Sequence, residues 1–208
     1  MEQVLTQEQQ AALTPEDVLT ALKKGNNRFL SGDITHRDHS SQVRHAALGQ
    51  FPKAVILSCV DSRIPVEDVF DRGIGDIFVA RVAGNFENTD ILGSMEFATK
   101  VSGAKLVLVL GHKDCGAVKA AIDGAELGNI TEMLTNIQPA IDALADYDGE
   151  KTGANKDFVD KVTEQNVLLT VKDIRKSSPI MKDMEDKGQI MIVGALYDMN
   201  TGAIQFLD

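Results

Sequence analysis

The sequence predicts an α/β protein whose central β-sheet is mainly parallel, carries one antiparallel edge strand and is flanked by helices. Three short apolar runs are typical of buried strands, and amphipathic helical segments follow them. These runs are residues 54–57, 77–82 and 106–110. Strands that alternate with helices favour parallel pairing. Two further β-rich runs, 190–197 and 203–207, flank Asn200-Thr201-Gly202 and predict a hairpin, hence an antiparallel edge.

The length and charge of the chain restrict its class. Its 208 residues are the size of one α/β domain with a sizeable core, so we assign residues 1–208 to a single domain. The formal charge of −10 argues against nucleic acid and anionic membranes as partners. No apolar run reaches the roughly 18 residues of a membrane span, and the N-terminus lacks the basic and apolar regions of a signal peptide. We expect a cytoplasmic protein as the sequence stands, and a periplasmic one if a leader has been removed.

The N-terminal part of the chain begins with a tail and a helix. Residues 1–13 are polar and Gln-rich, which is typical of a partly ordered tail. In Thr14-Pro15-Glu16-Asp17 the threonine can cap a helix, the proline suits its first turn, and the carboxylates face the positive end of its dipole. The apolar spacing continues this helix to Ser31-Gly32. Residues 33–50 are polar and predict surface loop, and their histidines show no ligand spacing: His36, His39 and His45.

The segments between and after the strands predict helices and one loop. Apolar residues recur in them at intervals of three or four, the spacing of a helix with one buried face. The predicted helices are residues 65–70, 89–102, 116–122, 129–147, 157–175 and a short one that ends near Lys187-Gly188, with a surface loop at 149–155.

Both cysteines of the chain lie just beyond predicted strands. Cys59 follows the first strand, and His112 and Cys115 follow the third. Because the carboxyl ends of parallel strands meet at one rim, these three side chains can converge. Two thiolates and one imidazole suit zinc, and three protein ligands leave the fourth tetrahedral position open, as in catalytic zinc sites. We therefore predict one Zn²⁺ per chain, held by Cys59, His112 and Cys115.

Residues next to these ligands have predicted roles as well. Asp61 can accept a hydrogen bond from a metal-bound hydroxide, and Arg63 can hold the Asp61 carboxylate in place. Cys115 precedes a predicted helix, whose dipole lowers a thiol pKa and favours the thiolate. Gly116 allows close approach to the ligands, and its N–H can stabilise Cys115 or a substrate.

The pattern Cys-x-Asp-Ser-Arg at residues 59–63, followed by His-x-x-Cys at 112–115 and with Ala83-Gly84-Asn85 between them, resembles the β-class carbonic anhydrases. The resemblance extends from Thr14 or nearby to the C-terminus. It implies a zinc enzyme that reversibly hydrates carbon dioxide to bicarbonate and a proton by attack of zinc-bound hydroxide. It also implies a homo-oligomer, either a dimer or a tetramer of dimers, in which an arm within residues 1–32 packs on the partner.

The same resemblance implies three further substrate-binding residues. Gln50 precedes Cys59 at the offset where the plant-type, open-site branch of the family has a glutamine that donates to the substrate. Phe78 and Phe97 fall where the family has aromatic residues on the apolar side of the active-site cleft, although both also fit ordinary core positions. Val82 replaces the first Asn of the usual Arg-Asn-Ala-Gly-Asn turn, which puts in doubt any hydrogen bond of that amide.

Four alternatives stay open from the sequence. In parts of the family, the residue equivalent to Asp61 swings onto zinc at low pH and closes the site. A purely structural metal site would need a fourth Cys or His ligand. A cysteine hydrolase would use Cys59 or Cys115 with His112, a spacing that fits chelation better. A zinc hydrolase of carbon disulfide or carbonyl sulfide fits the same ligands, because access to the site selects the substrate.

Overall fold

One five-stranded sheet organises residues 4–207, the part of the chain that this computed structural model describes. The strands are β1 (Ala54–Ser58), β2 (Ile77–Arg81), β3 (Leu106–His112), β4 (Met191–Tyr197) and β5 (Ile204–Leu207). Their order across the sheet is β2-β1-β3-β4-β5. The first four run parallel, and β5 pairs antiparallel with β4. The predicted fold class, with its antiparallel edge strand, is confirmed.

Helices surround this sheet. They are α1 (Gln7–Ala11), α2 (Pro15–Ser31), α3 (His39–Ala46), α4 (Val66–Val69), α5 (Thr89–Glu96), a π-helical turn (Phe97–Val101), α6 (Gly116–Ile122), α7 (Gly128–Leu134), α8 (Gln138–Asp142), α9 (Lys156–Ser177) and α10 (Pro179–Asp186). α2 begins as predicted, because the Thr14 hydroxyl accepts from the Asp17 N–H and the Asp17 carboxylate accepts from the Thr14 N–H. It ends at Gly32, whose φ of 73° is in the left-handed region that glycine adopts readily. Within residues 4–207, no helix combines the length and the apolar character that crossing a membrane requires.

The two faces of the sheet bury separate apolar clusters. β3 sends its leucines to one cluster and its valines to the other, as the alternation of side chains along a strand requires. The long helix α9 packs against both, with Phe158 and Val162 in the first cluster and Val167 and Val171 in the second. Burial on both faces holds β1 and β3 rigidly, and therefore also the loops that follow them.

Three segments differ from the sequence prediction. β2 is half buried rather than buried, because it lies at the edge of the sheet and pairs with β1 alone among the described strands. Residues 33–50 contain α3, which Asp38 caps by accepting from the Ser41 N–H at 2.9 Å. The predicted helix 129–147 is divided into α7 and α8, because Pro139 lacks the N–H that a continuous helix would need.

The N-terminal segment contacts its own chain. Gln10 on α1 is buried, and its Nε2 donates to the carbonyl oxygens of Pro52 and Ser102 at 2.6 and 2.8 Å. Residues 1–3 lie outside the described range. The packing of residues 1–32 on a partner subunit stays a prediction.

Candidate metal centre

The three predicted metal ligands converge at the carboxyl rim of the sheet. Cys59 directly follows β1, His112 ends β3, and Cys115 is the residue that precedes α6. β1 and β3 pair in parallel, with Ser58 opposite Leu110, so their ends lie side by side. All three side chains are buried, and their ligand atoms lie within 4.8 Å of one another.

The imidazole of His112 is prepared to bind a metal. Its Nδ1 lies 3.0 Å from the carbonyl oxygen of Lys113, which can only accept, so the proton is on Nδ1. Its Nε2 is buried and has no hydrogen-bond partner among the described residues. A buried lone pair without a donor is costly unless something binds it. The chemistry and placement of the donor set thus fit zinc.

The two sulfurs compete for one negative charge. The pKa of Cys59 is lowered to about 4, mainly because the Cys115 thiol donates a hydrogen bond to the Cys59 thiolate, although burial opposes the shift. The pKa of Cys115 is raised, because it donates that hydrogen bond and is buried beside the Cys59 charge. Hydrogen bonds from the backbone N–H groups of Ala117 and Val118, at the start of α6, lower the pKa of Cys115, but by less than the other effects raise it. A divalent cation removes this repulsion and allows both sulfurs to ionise.

Asp61 and Arg63 form a bidentate ion pair at the mouth of this centre. Arg63 donates from Nε to Asp61 Oδ1 at 2.9 Å and from Nη2 to Oδ2 at 2.7 Å, and its backbone N–H adds a third bond at 3.0 Å. These bonds lower the pKa of Asp61 to about 2 in spite of its partial burial. The Oδ2 atom lies 4.0 Å from His112 Nε2. An ionised, firmly oriented carboxylate therefore stands beside the predicted metal position.

Arg81, at the end of β2, clamps the loop that carries Cys59 and Asp61. Its Nε donates to the Cys59 carbonyl at 2.8 Å, and its Nη2 donates to the carbonyls of Asp61 and Ile64 at 2.7 and 3.1 Å. The sequence prediction assigned no role to Arg81. A cation at the carboxyl end of a strand next to β1 was the signal that could have found it.

Gly84 approaches Cys59 from the turn after β2. Its N–H donates to Cys59 Sγ at 3.4 Å. Its φ is +84°, and a Cβ there would lie 2.6 Å from Ile137 Cδ1, so a larger residue would be strained and would clash. Gly116, in contrast, faces open space among the described residues at the place that a Cβ would take. Its predicted part in substrate binding stays a prediction.

The remaining predicted substrate residues lie away from these ligands within one chain. Gln50 precedes β1, whereas Cys59 follows it. Phe78 pairs with Val55, four residues before Cys59, which is about 13 Å along the strand. The rings of Phe78 and Phe97 contact each other edge to face at 6.3 Å and line an open cavity of about 670 Å³. Phe97 is 50% exposed.

This parallel α/β sheet carries at its carboxyl rim a Cys-His-Cys set that could hold one metal ion, with an Asp–Arg pair beside it. The carbonic anhydrase family model matches residues 54–204. "Carbonic anhydrase 2" of Mycobacterium tuberculosis is 36% identical over 188 residues, covering 88% of this chain and 87% of that protein. The carbonic anhydrase of Mycolicibacterium smegmatis is 36% identical over 192 residues, covering 89% of each chain.

Solved structures agree with these relatives. The Coccomyxa β-carbonic anhydrase, solved in complex with acetazolamide, aligns with a TM-score of 0.73 at 26% identity, covering 91% of this chain and 84% of that one. A tetrameric β-carbonic anhydrase from Sordaria macrospora aligns with a TM-score of 0.71 at 25% identity, covering 79% and 85%. This chain belongs to the carbonic anhydrase family, in its β-class.

Proposed function

We propose that this protein catalyses the reversible hydration of carbon dioxide to bicarbonate and a proton, with one Zn²⁺ held by Cys59, His112 and Cys115. The observation that carries the proposal is the buried set of three donor atoms within 4.8 Å, one of them an imidazole nitrogen without a hydrogen-bond partner among the described residues. Zinc bound there supplies a Lewis acid that lowers the pKa of a coordinated water, so that a nucleophile is available near neutral pH. The relatives at 36% identity are named carbonic anhydrases, which favours carbon dioxide over carbon disulfide or carbonyl sulfide as the substrate.

The chain's own residues orient the attack. The ionised Asp61 carboxylate accepts the hydrogen of the attacking nucleophile, and this leaves a lone pair directed toward carbon dioxide. Arg63 keeps both Asp61 oxygens engaged and so holds that acceptor in one orientation. Because the same bonds restrain Asp61 from moving onto the metal, they favour the open arrangement of the site.

Gly84 and Arg81 hold the ligand loop while the chemistry takes place. The Gly84 N–H stabilises negative charge on Cys59, and Arg81 fixes the carbonyls of Cys59 and Asp61. The proton that is released must leave to solvent, and no residue of the chain is assigned to carry it.

The functional unit is a homo-oligomer in which Gln50, Phe78 and Phe97 of one chain complete the site of a second copy. Support comes from their position, since they lie away from their own ligand set and the aromatic pair lines a cavity that is open to solvent. A tetrameric relative of similar fold is consistent with such an assembly. An apolar surface from the partner would give carbon dioxide a dry wall to rest against.

One experiment tests the metal site and the activity together. His112→Ala is compared with His45→Ala, a change of the same kind on α3, for zinc content and for carbon dioxide hydration by stopped flow. We expect His112→Ala to lose both zinc and activity and His45→Ala to keep both. Full zinc content in His112→Ala would remove His112 from the ligand set. Hydrolysis of carbonyl sulfide at a rate above that of carbon dioxide hydration would overturn the substrate assignment.

A further inference from the structure

A second concentration of charge lies at the opposite rim of the sheet from the metal centre. It surrounds a cavity of about 320 Å³, which we call the amino-rim cavity. Its lining includes Lys53, which precedes β1, and Asp76, which precedes β2. The cavity therefore lies at the amino ends of the strands, whereas Cys59 and His112 lie at their carboxyl ends.

The amino-rim cavity holds more positive than negative charge. Among the described residues, four cationic side chains line it together with two carboxylates, in a protein whose overall charge is −10. The charged lining residues are Arg28, Arg37, Lys53, Arg72, Asp71 and Asp76. Because acidic residues predominate elsewhere in the chain, this local excess of two positive charges is a departure from the rest of the molecule.

Asp71 is already saturated with donors. Its carboxylate accepts from Arg28 Nε and Arg37 Nη1, both at 2.5 Å. It also accepts from the backbone N–H and the hydroxyl of Thr35, at 3.1 and 2.7 Å. With four donors on two oxygens, this carboxylate has little capacity left to neutralise a further cation.

The other cations keep donors available. Arg72 donates to the carbonyls of Phe70 and Ala21 at 2.8 Å, which uses only part of the five N–H groups of a guanidinium. Burial lowers the pKa of Arg72, attraction to Asp76 and Asp71 opposes that effect, and repulsion from Arg28 and Arg37 adds to it. Lys53 lies 3.1 Å from Asp76 Oδ1. A partly buried group of like charges with unused donors is stabilised by an anion.

We propose that the amino-rim cavity binds a phosphate-type dianion, either free phosphate or the phosphoryl group of a small metabolite. A dianion matches the two excess positive charges, and tetrahedral oxygens can accept from several guanidinium N–H groups at once. The cavity volume of about 320 Å³ accommodates either source.

The test uses the zinc-loaded full chain and inorganic phosphate, titrated by calorimetry at constant ionic strength. Lys53→Gln and Arg28→Gln each remove one cation from the cavity, and Lys23→Gln is the matched control. Lys23 is on the same helix as Arg28 but lies over the Phe206 ring, outside the cavity. We expect each cavity variant to bind phosphate at least about tenfold more weakly than wild type, and the control to bind within about twofold.

The outcomes separate the proposal from binding elsewhere. Equal phosphate affinity in wild type and Lys53→Gln would overturn the proposal. Phosphate that binds at the metal centre instead of the amino-rim cavity would give this result. An equal loss in all three variants would also overturn it, because it would report overall charge alone. If Arg28→Gln does not fold without its bond to Asp71, Lys53→Gln decides. Tighter binding of glycerol 3-phosphate than of phosphate would assign the phosphoryl source, and the reverse order would assign the free ion. Bicarbonate also binds at the metal centre as the product, so only a bicarbonate affinity that Lys53→Gln weakens as much as it weakens phosphate affinity would contradict the dianion.

Discussion

Asn166 on α9 donates a hydrogen bond from Nδ2 to the carbonyl oxygen of Gly84 at 2.8 Å, and the N–H of Gly84 donates to Cys59 Sγ at 3.4 Å. A helix packed on the sheet is thereby linked through one residue to a predicted zinc ligand. Asn166 is buried, so no water could take the place of its amide as the donor to the Gly84 carbonyl.

Replacement of Asn166 should therefore loosen the metal centre as well as the fold. In Asn166→Leu the Gly84 carbonyl stays buried without a donor, which costs about 1–3 kcal/mol. We expect a lower free energy of unfolding and faster release of zinc to a chelator. Gln165→Leu, the same kind of change one residue earlier, is the control and should release zinc at the wild-type rate. Unchanged zinc release in Asn166→Leu would show that the link does not reach the metal.

Asp61→Asn should keep zinc and slow catalysis. The amide has nearly the shape of the carboxylate but is a poorer acceptor, so it orients the nucleophile less firmly, and lost orientation of this kind can cost about 10²-fold in rate. Stopped-flow hydration together with metal analysis measures both quantities. Asp114→Asn is the matched control, since Asp114 lies 3.8 Å from the other side of Arg63. Equal rates for the two variants would remove Asp61 from the mechanism.

Arg81→Gln should destabilise the ligand loop. The change removes donors from the carbonyls of Cys59, Asp61 and Ile64, and we expect a loss of about 1–3 kcal/mol in the free energy of unfolding with weaker zinc retention. Arg81→Lys should restore little of the lost stability and zinc retention, because an ammonium group does not have the forked geometry of guanidinium. Full rescue by lysine would show that charge alone is required. Urea unfolding and chelator competition measure these effects.

The ionisation of Asp71 should make the free energy of unfolding depend on pH in the acid range. Burial alone would raise its pKa, but hydrogen bonds from Arg37, Thr35 and Arg28 outweigh burial and hold the pKa well below its usual value. The contribution of Asp71 to stability is therefore complete above its pKa in the unfolded chain, about 3.9. That contribution is lost as the pH falls toward its pKa in the folded protein. We expect the stability advantage of wild type over Asp71→Asn to shrink below about pH 4, by up to about 1.4 kcal/mol per pH unit.

Urea unfolding of both proteins between about pH 3 and pH 7 measures that difference. The comparison cancels the acid sensitivity of the metal centre, which both proteins share. Asp68→Asn, at an exposed position on α4, is the control for the removal of one carboxylate. A pH-independent difference between wild type and Asp71→Asn would contradict the lowered pKa.

Phe97→Ala should reduce hydration without loss of zinc, because Phe97 lies away from its own ligands and is half exposed. Mixing this variant with Asp61→Asn tests whether Phe97 serves a second copy. A mixed dimer would contain one complete site, formed by Asp61 of the first chain and Phe97 of the second. We expect refolded mixtures to exceed the mean activity of the two variants. Activity at or below that mean would place Phe97 in the site of its own chain, or outside both.

Much of the fold follows from local patterns that the sequence displays. The Thr14 cap, the helical spacing up to Ser31 and the turn at Gly202 depend on neighbouring residues, and each was predicted. α3 was not, because a capped polar helix lacks the apolar periodicity that marks helices. The edge position of β2 was also missed, because the number of neighbours a strand has is a property of the whole sheet.

By itself, the sequence determined the zinc-ligand prediction: two cysteines and a histidine placed after apolar strands must meet if the strands are parallel, since such strands end at one rim. Only the tertiary structure decided what supports that set. Arg81 and Asn166 act across 22 and 82 residues of chain, and the basic residues of the amino-rim cavity come from α2, from the loops before and after α3 and from the loop after α4. Contacts at such separation leave no periodic or local pattern, because they depend on how α9 and the loops pack in three dimensions.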